Sequence, residues 1–184
     1  FVMARYNDKY MNNVNKLVID IETIGHDFDS FDEATQDNLT RWIKKESESE
    51  EDYQAALTDL KDGLGFSPLT GEIVAIGVYD YNQEKGVVYY QAPGAGHEEV
   101  TEGNMTYKPM TEAAMLDAFW KGAVKYQQFI TFNGRQFDAP FLALRSAVHG
   151  IHPTKDLNRA RYIYQMAPDA VHIDLLDQLS FYGA

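Results

Sequence analysis

Cysteine is absent from the 184 residues, which excludes a disulfide framework and any thiolate chemistry. No apolar run approaches the roughly 20 residues that a membrane-spanning helix needs. Phe1 to Asn15 lacks the basic start, apolar middle and small-residue end of a secretion signal. A cytoplasmic location without a membrane partner is therefore the expectation. Positive charge is scarce as well: 16 Lys and Arg stand against 28 Asp and Glu, a net of −12. That balance argues against broad, purely electrostatic binding to nucleic acid. What is present is ordinary for a globular chain, with 45% hydrophobic and 13% aromatic residues, enough for one domain with a sizeable core. The chain opens on Phe rather than Met, so a processed or partial chain is expected.

The charge is unevenly spread. Residues 27–62 hold twelve acids and four bases, whereas residues 121–161 hold seven bases and only Asp138 and Asp156. An acidic segment is thus set against a mildly basic one that can contact a phosphate backbone.

Two acids stand out. Lys16-Leu17-Val18-Ile19-Asp20-Ile21-Glu22-Thr23 reads as a strand, and side chains two apart on a strand share a face. Asp20 and Glu22 therefore project side by side from a run that reads as buried on both faces. Such a pair is costly to desolvate and self-repelling, and a hard divalent cation with oxygen ligands relieves both costs. An isolated Asp-x-Glu is more ordinarily a pair of solvated acids, so the assignment depends on a second motif.

Along the chain, Ser30-x-x-Glu33 has capping-box spacing and predicts a helix to about Lys45, with Leu39, Trp42 and Ile43 as its apolar face. Tyr53, Ala56, Leu57, Leu60 and Leu64 follow at helical spacing. Residues 30–64 read as a helical insertion after the first strand, able to act as a lid or as a surface for a protein partner. Gly71 to Tyr79 and Val87 to Tyr90 predict a hairpin, and residues 93–109 a long loop. Thr111 is placed to cap a helix carrying Met115, Leu116, Phe119, Trp120 and Val124. A short strand over 128–132 leads into a helix near Pro140 that ends at Gly150, with Asp138 well placed as its N-cap. Residues 150–171 read as irregular, and 172–181 as a final short element. The order predicts a mixed α/β domain with one layered sheet.

Asp20-Ile21-Glu22-Thr23 followed by Asn133-x-x-x-Phe137-Asp138 resembles the first two motifs of the DEDD-type 3′→5′ exonucleases, the DnaQ-like branch of the ribonuclease H-like fold. The chain is most similar to the predicted exonuclease family related to the proofreading domain of family-B DNA polymerases. Gly71 to Gly77, Thr131 to Asp138 and His172-x-Asp174-Leu175 all have counterparts there, over residues 16–184, with 1–15 as an N-terminal extension. The resemblance implies a ribonuclease H-like mixed sheet flanked by helices. It also implies a phosphodiesterase in which Asp20, Glu22 and Asp138 hold two Mg2+ or Mn2+ ions roughly 3.5–4 Å apart. Thr23, Asn133 and Phe137 match positions that orient the terminal nucleotide, although Phe137 reads equally well as a core residue. The implied substrate is a single-stranded 3′ end, DNA ahead of RNA.

The family's third motif carries a fourth acid led by Tyr or His. His172 stands five residues before Asp177, a literal match that would make His172 the general base and Asp177 a ligand. Only 33 residues separate His172 from Asp138, so the main expectation is that the chain stops before this motif and is poorly active. The competing expectation is a catalytically weak nucleic-acid-binding or protein-interaction module on the same fold.

Overall fold

Alternation sorts the first strand, β1 (Lys16–Gly25), onto two unlike faces: Leu17, Ile19 and Ile21 are buried, Asp20 and Glu22 exposed. This arrangement comes from a computed structural model that describes residues 14–94, 96 and 98–183. Most of the expected N-terminal extension, residues 1–13, lies outside the described residues.

The chain divides into two compact units, one spanning Thr23–Ile73 and the other comprising the residues before and after it. The Thr23–Ile73 unit holds helices α1 (Glu33–Glu46) and α2 (Glu50–Gly63), with Phe28, Ile43 and Leu64 buried. The cap of α1 differs from the expectation. Asp32, not Ser30, takes the Thr35 N–H at 2.9 Å, while the Ser30 hydroxyl donates to the Asp27 carbonyl in a preceding 3-10 turn. A carboxylate at the helix start also complements the positive end of the helix dipole. Trp42, expected on the apolar face, is 52% exposed, so Ile43 carries the burial of α1.

In the other unit, strands β2 (Gly71–Asp80), β3 (Lys85–Tyr90), β4 (Val100–Glu102), β5 (Met105–Pro109), β6 (Gln128–Thr131) and β7 (Val171–Asp174) join β1. They form one seven-stranded mixed sheet in the order β4-β5-β3-β2-β1-β6-β7. β6 is parallel to β1 and β7 parallel to β6, whereas β2 and β3 form the expected antiparallel pair. β4 and β5 fall inside residues 93–109, which the sequence presented as a loop. β5 runs parallel to β3, and β4 folds back on β5 through Gly103 at φ +60°.

Helices α3 (Glu112–Ala123) and α4 (Asp138–Val148) flank this sheet and pack on each other. Thr111 caps α3 as expected, through Ala114 N–H. Met115, Leu116, Phe119 and Trp120 from α3 and Phe141 and Leu142 from α4 are buried with Leu17, Ile19 and Phe129 of the sheet. Val124, at the end of α3, is half exposed instead. Polar links join the helices. The Glu112 carboxylate takes both Arg145 Nε and Nη2, at 2.8 and 2.7 Å, and the Trp120 indole donates to Ser146 Oγ at 2.7 Å.

Ser146→Ala deletes the buried acceptor of the Trp120 N–H. An unpaired buried donor costs about 1–3 kcal/mol. Urea unfolding should show the variant destabilised by that amount, and an unchanged midpoint would remove this link from the account.

Candidate active site

Asp20 and Glu22 share the open face of β1, as strand alternation requires. The sequence presented this strand as buried on both faces. At these two positions it is not, and the cost of desolvation falls on another acid.

That acid is Asp138, the first residue of α4 and only 3% exposed. It does not cap its helix: Phe137 occupies the cap position and makes no side-chain capping bond. Instead Asp138 Oδ1 accepts the backbone N–H of Ile21 at 3.2 Å. Ile21 lies between Asp20 and Glu22, so the bond brings the third acid onto the segment carrying the first two. Burial pushes the Asp138 carboxyl up to about 6, and the charges of Asp20 and Asp174 push the same way against the lowering effect of backbone N–H donors.

The loop between β6 and α4 is held by Asp174, which the sequence reading did not single out. Asp174 Oδ1 accepts from Asn133 N–H at 2.8 Å and Oδ2 from Arg135 N–H at 3.0 Å. The same carboxylate caps the short helix α5 (Leu175–Leu179) through Leu176 N–H. Asn133 sits at φ +60°, a left-handed conformation that asparagine tolerates. At Gly134 an added Cβ would overlap the Thr131 side chain, so the tight turn requires glycine. The Asp174-Leu175 pair was visible in the sequence as one of the family-like stretches. Its task, gripping a loop 39 and 41 residues away, was not.

His172 and Asp177, the expected general base and metal ligand, are both engaged by partners within the fold. His172 is 2% exposed and both ring nitrogens are engaged, Nδ1 with the Leu157 carbonyl at 3.0 Å and Nε2 with Thr131 Oγ1 at 2.8 Å. A carbonyl only accepts, so Nδ1 carries the proton and Nε2 takes the Thr131 hydroxyl. Burial holds this imidazole below its ordinary range. Asp177 accepts from Arg135 Nε at 2.6 Å and from Arg161 Nη2 at 3.2 Å, and the Arg135 hydrogen bond holds its carboxyl below the ordinary range.

Of the expected substrate contacts, Asn133 and Phe137 are half-buried on the Asp138 loop, and Phe137 packs on Phe141 with centroids 5.1 Å apart. Thr23 belongs to the Thr23–Ile73 unit, where its hydroxyl donates to the Gly65 carbonyl at 2.7 Å. Among the described residues no three His, Asp or Glu side chains are gathered closely enough to hold a metal ion. The chemistry of the acids nonetheless fits one: the donors are all carboxylate oxygens, and the charge of Asp20 adds to the burial that raises the proton affinity of Asp138, a cost that a hard cation relieves. A cavity of about 500 Å3 lies elsewhere, lined by Asp80, Tyr89, Phe119 and Tyr126 among others. No described helix is long and apolar enough to cross a membrane.

A family model described as a predicted 3′-5′ exonuclease related to the exonuclease domain of PolB matches residues 79–184. The match takes in Asn133, Phe137, Asp138 and Asp174, whereas Asp20 and Glu22 precede it. A solved family B DNA polymerase from the hyperthermophilic archaeon Pyrobaculum calidifontis is similar over 91% of this chain, with 13% identity and a TM-score of 0.45. The chain spans 16% of that polymerase. No curated protein sequence matches.

Two outcomes are expected. Asp138 holds its proton more tightly folded, at about 6, than its ordinary value of 3.8. Its contribution to stability is therefore complete below pH 3.8 and lost as pH rises through 6, an effect of roughly 3 kcal/mol. In EDTA, Asp138→Asn should gain stability relative to the parent protein as pH rises from 4 to 7; parallel melting profiles would refute the shift. Gly134→Ala should lower the melting temperature by forcing Thr131 off His172, and an unchanged transition would count against the turn as drawn.

Proposed function

The chain belongs to the family of predicted 3′-5′ exonucleases related to the exonuclease domain of PolB, and from that membership we propose that it is a metal-dependent 3′→5′ exonuclease acting on single-stranded ends, DNA ahead of RNA. The observation that carries the reading is the bond from Ile21 N–H to Asp138, which brings an acid from a distant helix onto the strand segment holding Asp20 and Glu22. In this reading Asp20, Glu22 and Asp138 would hold Mg2+ or Mn2+. Such ions lower the pKa of bound water and neutralise charge that builds on the phosphoryl oxygens.

The chain's own residues do the rest. Asp138 is pinned through Ile21, while Asp20 and Glu22 are exposed on the strand, where a cation can reach them. Its raised proton affinity makes Asp138 a poor ligand in acid, so ion binding is expected to strengthen as pH climbs through 6. The Asp174 grip fixes the loop that presents Asn133 and Phe137, which are the proposed contacts to the terminal nucleotide. His172 takes no part in proton transfer in this scheme, because both its nitrogens are engaged inside the fold.

A second reading is a nucleic-acid-binding or protein-interaction module with little catalysis. It is favoured by the commitment of Asp177 to Arg135 and Arg161, which removes that acid as a fourth ligand.

Incubating a 5′-labelled single-stranded oligonucleotide with Mn2+ separates the two. The exonuclease should shorten it stepwise from the 3′ end, and Asp20→Ala and Asp138→Ala should each slow this by at least about a hundredfold, as loss of one group stabilising transition-state charge does. Calorimetric Mn2+ titration should lose a site in both variants. Degradation at the full rate in both would sink the assignment, and binding without any degradation would favour the module.

A further inference from the structure

β1, β6 and β7 run parallel, so Asp20 and Glu22 on the later half of β1, Asp138 after β6, and Asp174 and Asp177 at or after the end of β7 lie toward the carboxyl-end edge of these strands. A group of aromatic and basic side chains reaches the same edge. Tyr162 and Tyr164, at a 3-10 turn before β7, stack with centroids 5.7 Å apart and ring planes 13° from parallel. Tyr182 tilts against Tyr162 at 5.0 Å. Arg161 bonds the Tyr182 carbonyl at 2.7 Å and Asp177 at 3.2 Å, and Asp177 in turn holds Arg135 of the Asp138 loop. Contacts therefore run unbroken from the acid-bearing loop to the tyrosine stack.

This stack does not serve the core. Tyr164 is 78% exposed, and Arg159, five residues earlier in the chain, is exposed with no ion pair among the described residues. Leaving a large ring in water forgoes the energy of burying it, which points to a partner that presents flat apolar surface. In a chain of net charge −12, Arg159 and Arg161 precede this turn, Arg161 being paired with Asp177 and Arg159 exposed. Parallel aromatic faces flanked by guanidinium groups match stacked bases between phosphates.

We propose that Tyr162 and Tyr164, with the exposed Arg159 of the segment leading to them, form a stacking platform for bases of single-stranded nucleic acid upstream of the 3′ end held at the acids. The proposal rests on the exonuclease reading for the polarity of the strand, but not for the binding itself.

The test is anisotropy of a fluorescein-labelled oligothymidylate of about 12 nucleotides, a length that fills such grooves, at fixed salt in EDTA so that cleavage is off. Tyr164→Ala, at a surface position that should not disturb folding, should weaken binding about 5- to 150-fold, the range for one lost stacking contact. Tyr164→Phe, which keeps the ring face, should bind as the parent does. Arg159→Ala should flatten the salt dependence of log Kd by about 0.7, one phosphate contact on a single strand. Binding by Tyr164→Ala within about twofold of the parent would overturn the platform, even if the protein degrades DNA and the exonuclease reading stands. Tyrosine-dependent binding by a protein that degrades nothing would keep the platform and reject that reading. A dimer in light scattering that Tyr164→Ala dissolves, with oligonucleotide affinity unchanged, would assign the surface to a second copy and overturn the proposal.

Discussion

One backbone donor governs this molecule: the N–H of Ile21. The ladder between β1 and β6 pairs Lys16 to Val18 with Gln128 to Ile130, and β6 ends at Thr131. Ile21 lies on β1 beyond those rungs and is 5% exposed, so water is a poor partner for its N–H. Asp138, 117 residues away, supplies the acceptor. The bond satisfies the strand and places a carboxylate against the Asp20–Glu22 segment in the same stroke. Burial then makes that carboxylate reluctant to ionise without a positive partner, so the structural need and the proposed chemistry meet in one side chain.

The rest of the edge serves that placement. Asn133 adopts a left-handed conformation and Gly134 a turn with no room for a side chain, an arrangement that persists only where surroundings hold it. Asp174 grips the loop from β7, Asp177 grips Arg135, and His172 anchors Thr131 just before the turn. The acids that follow β6 and β7 thus divide the labour: Asp138 faces the candidate site, while Asp174 and Asp177 are occupied with positioning. Membership in a predicted exonuclease family supplies the reaction class, and the proposals about metal, strand and polarity are built on this division.

Much of this was legible beforehand. The 3.6-residue spacing of Tyr53, Ala56, Leu57, Leu60 and Leu64 marked α2, Thr111 marked the start of α3, and Gly150, at φ +66°, marked the close of α4. β4 and β5 escaped notice because both are short and lie among Gly94, Gly96, Gly103 and Pro109, and only the pairing of β5 with β3 and of β4 with β5 defines them. Ser30 lost the cap of α1 to Asp32 because either oxygen satisfies the spacing roughly equally well, and which one reaches the free N–H depends on the turn before it.

Local chemistry in the chain determined that Asp20 and Glu22 share a face, that a helix begins beside Asp138, and that the chain alternates strands and helices, since all three follow from neighbours a few residues apart. Tertiary structure decided that Asp138 leaves its helix end for Ile21, that His172 turns inward, and that Asp177 spends its charge on two arginines. Those outcomes depend on which partner lies within about 3 Å in the folded chain, and partners 15 to 117 residues distant leave no local pattern from which that can be read.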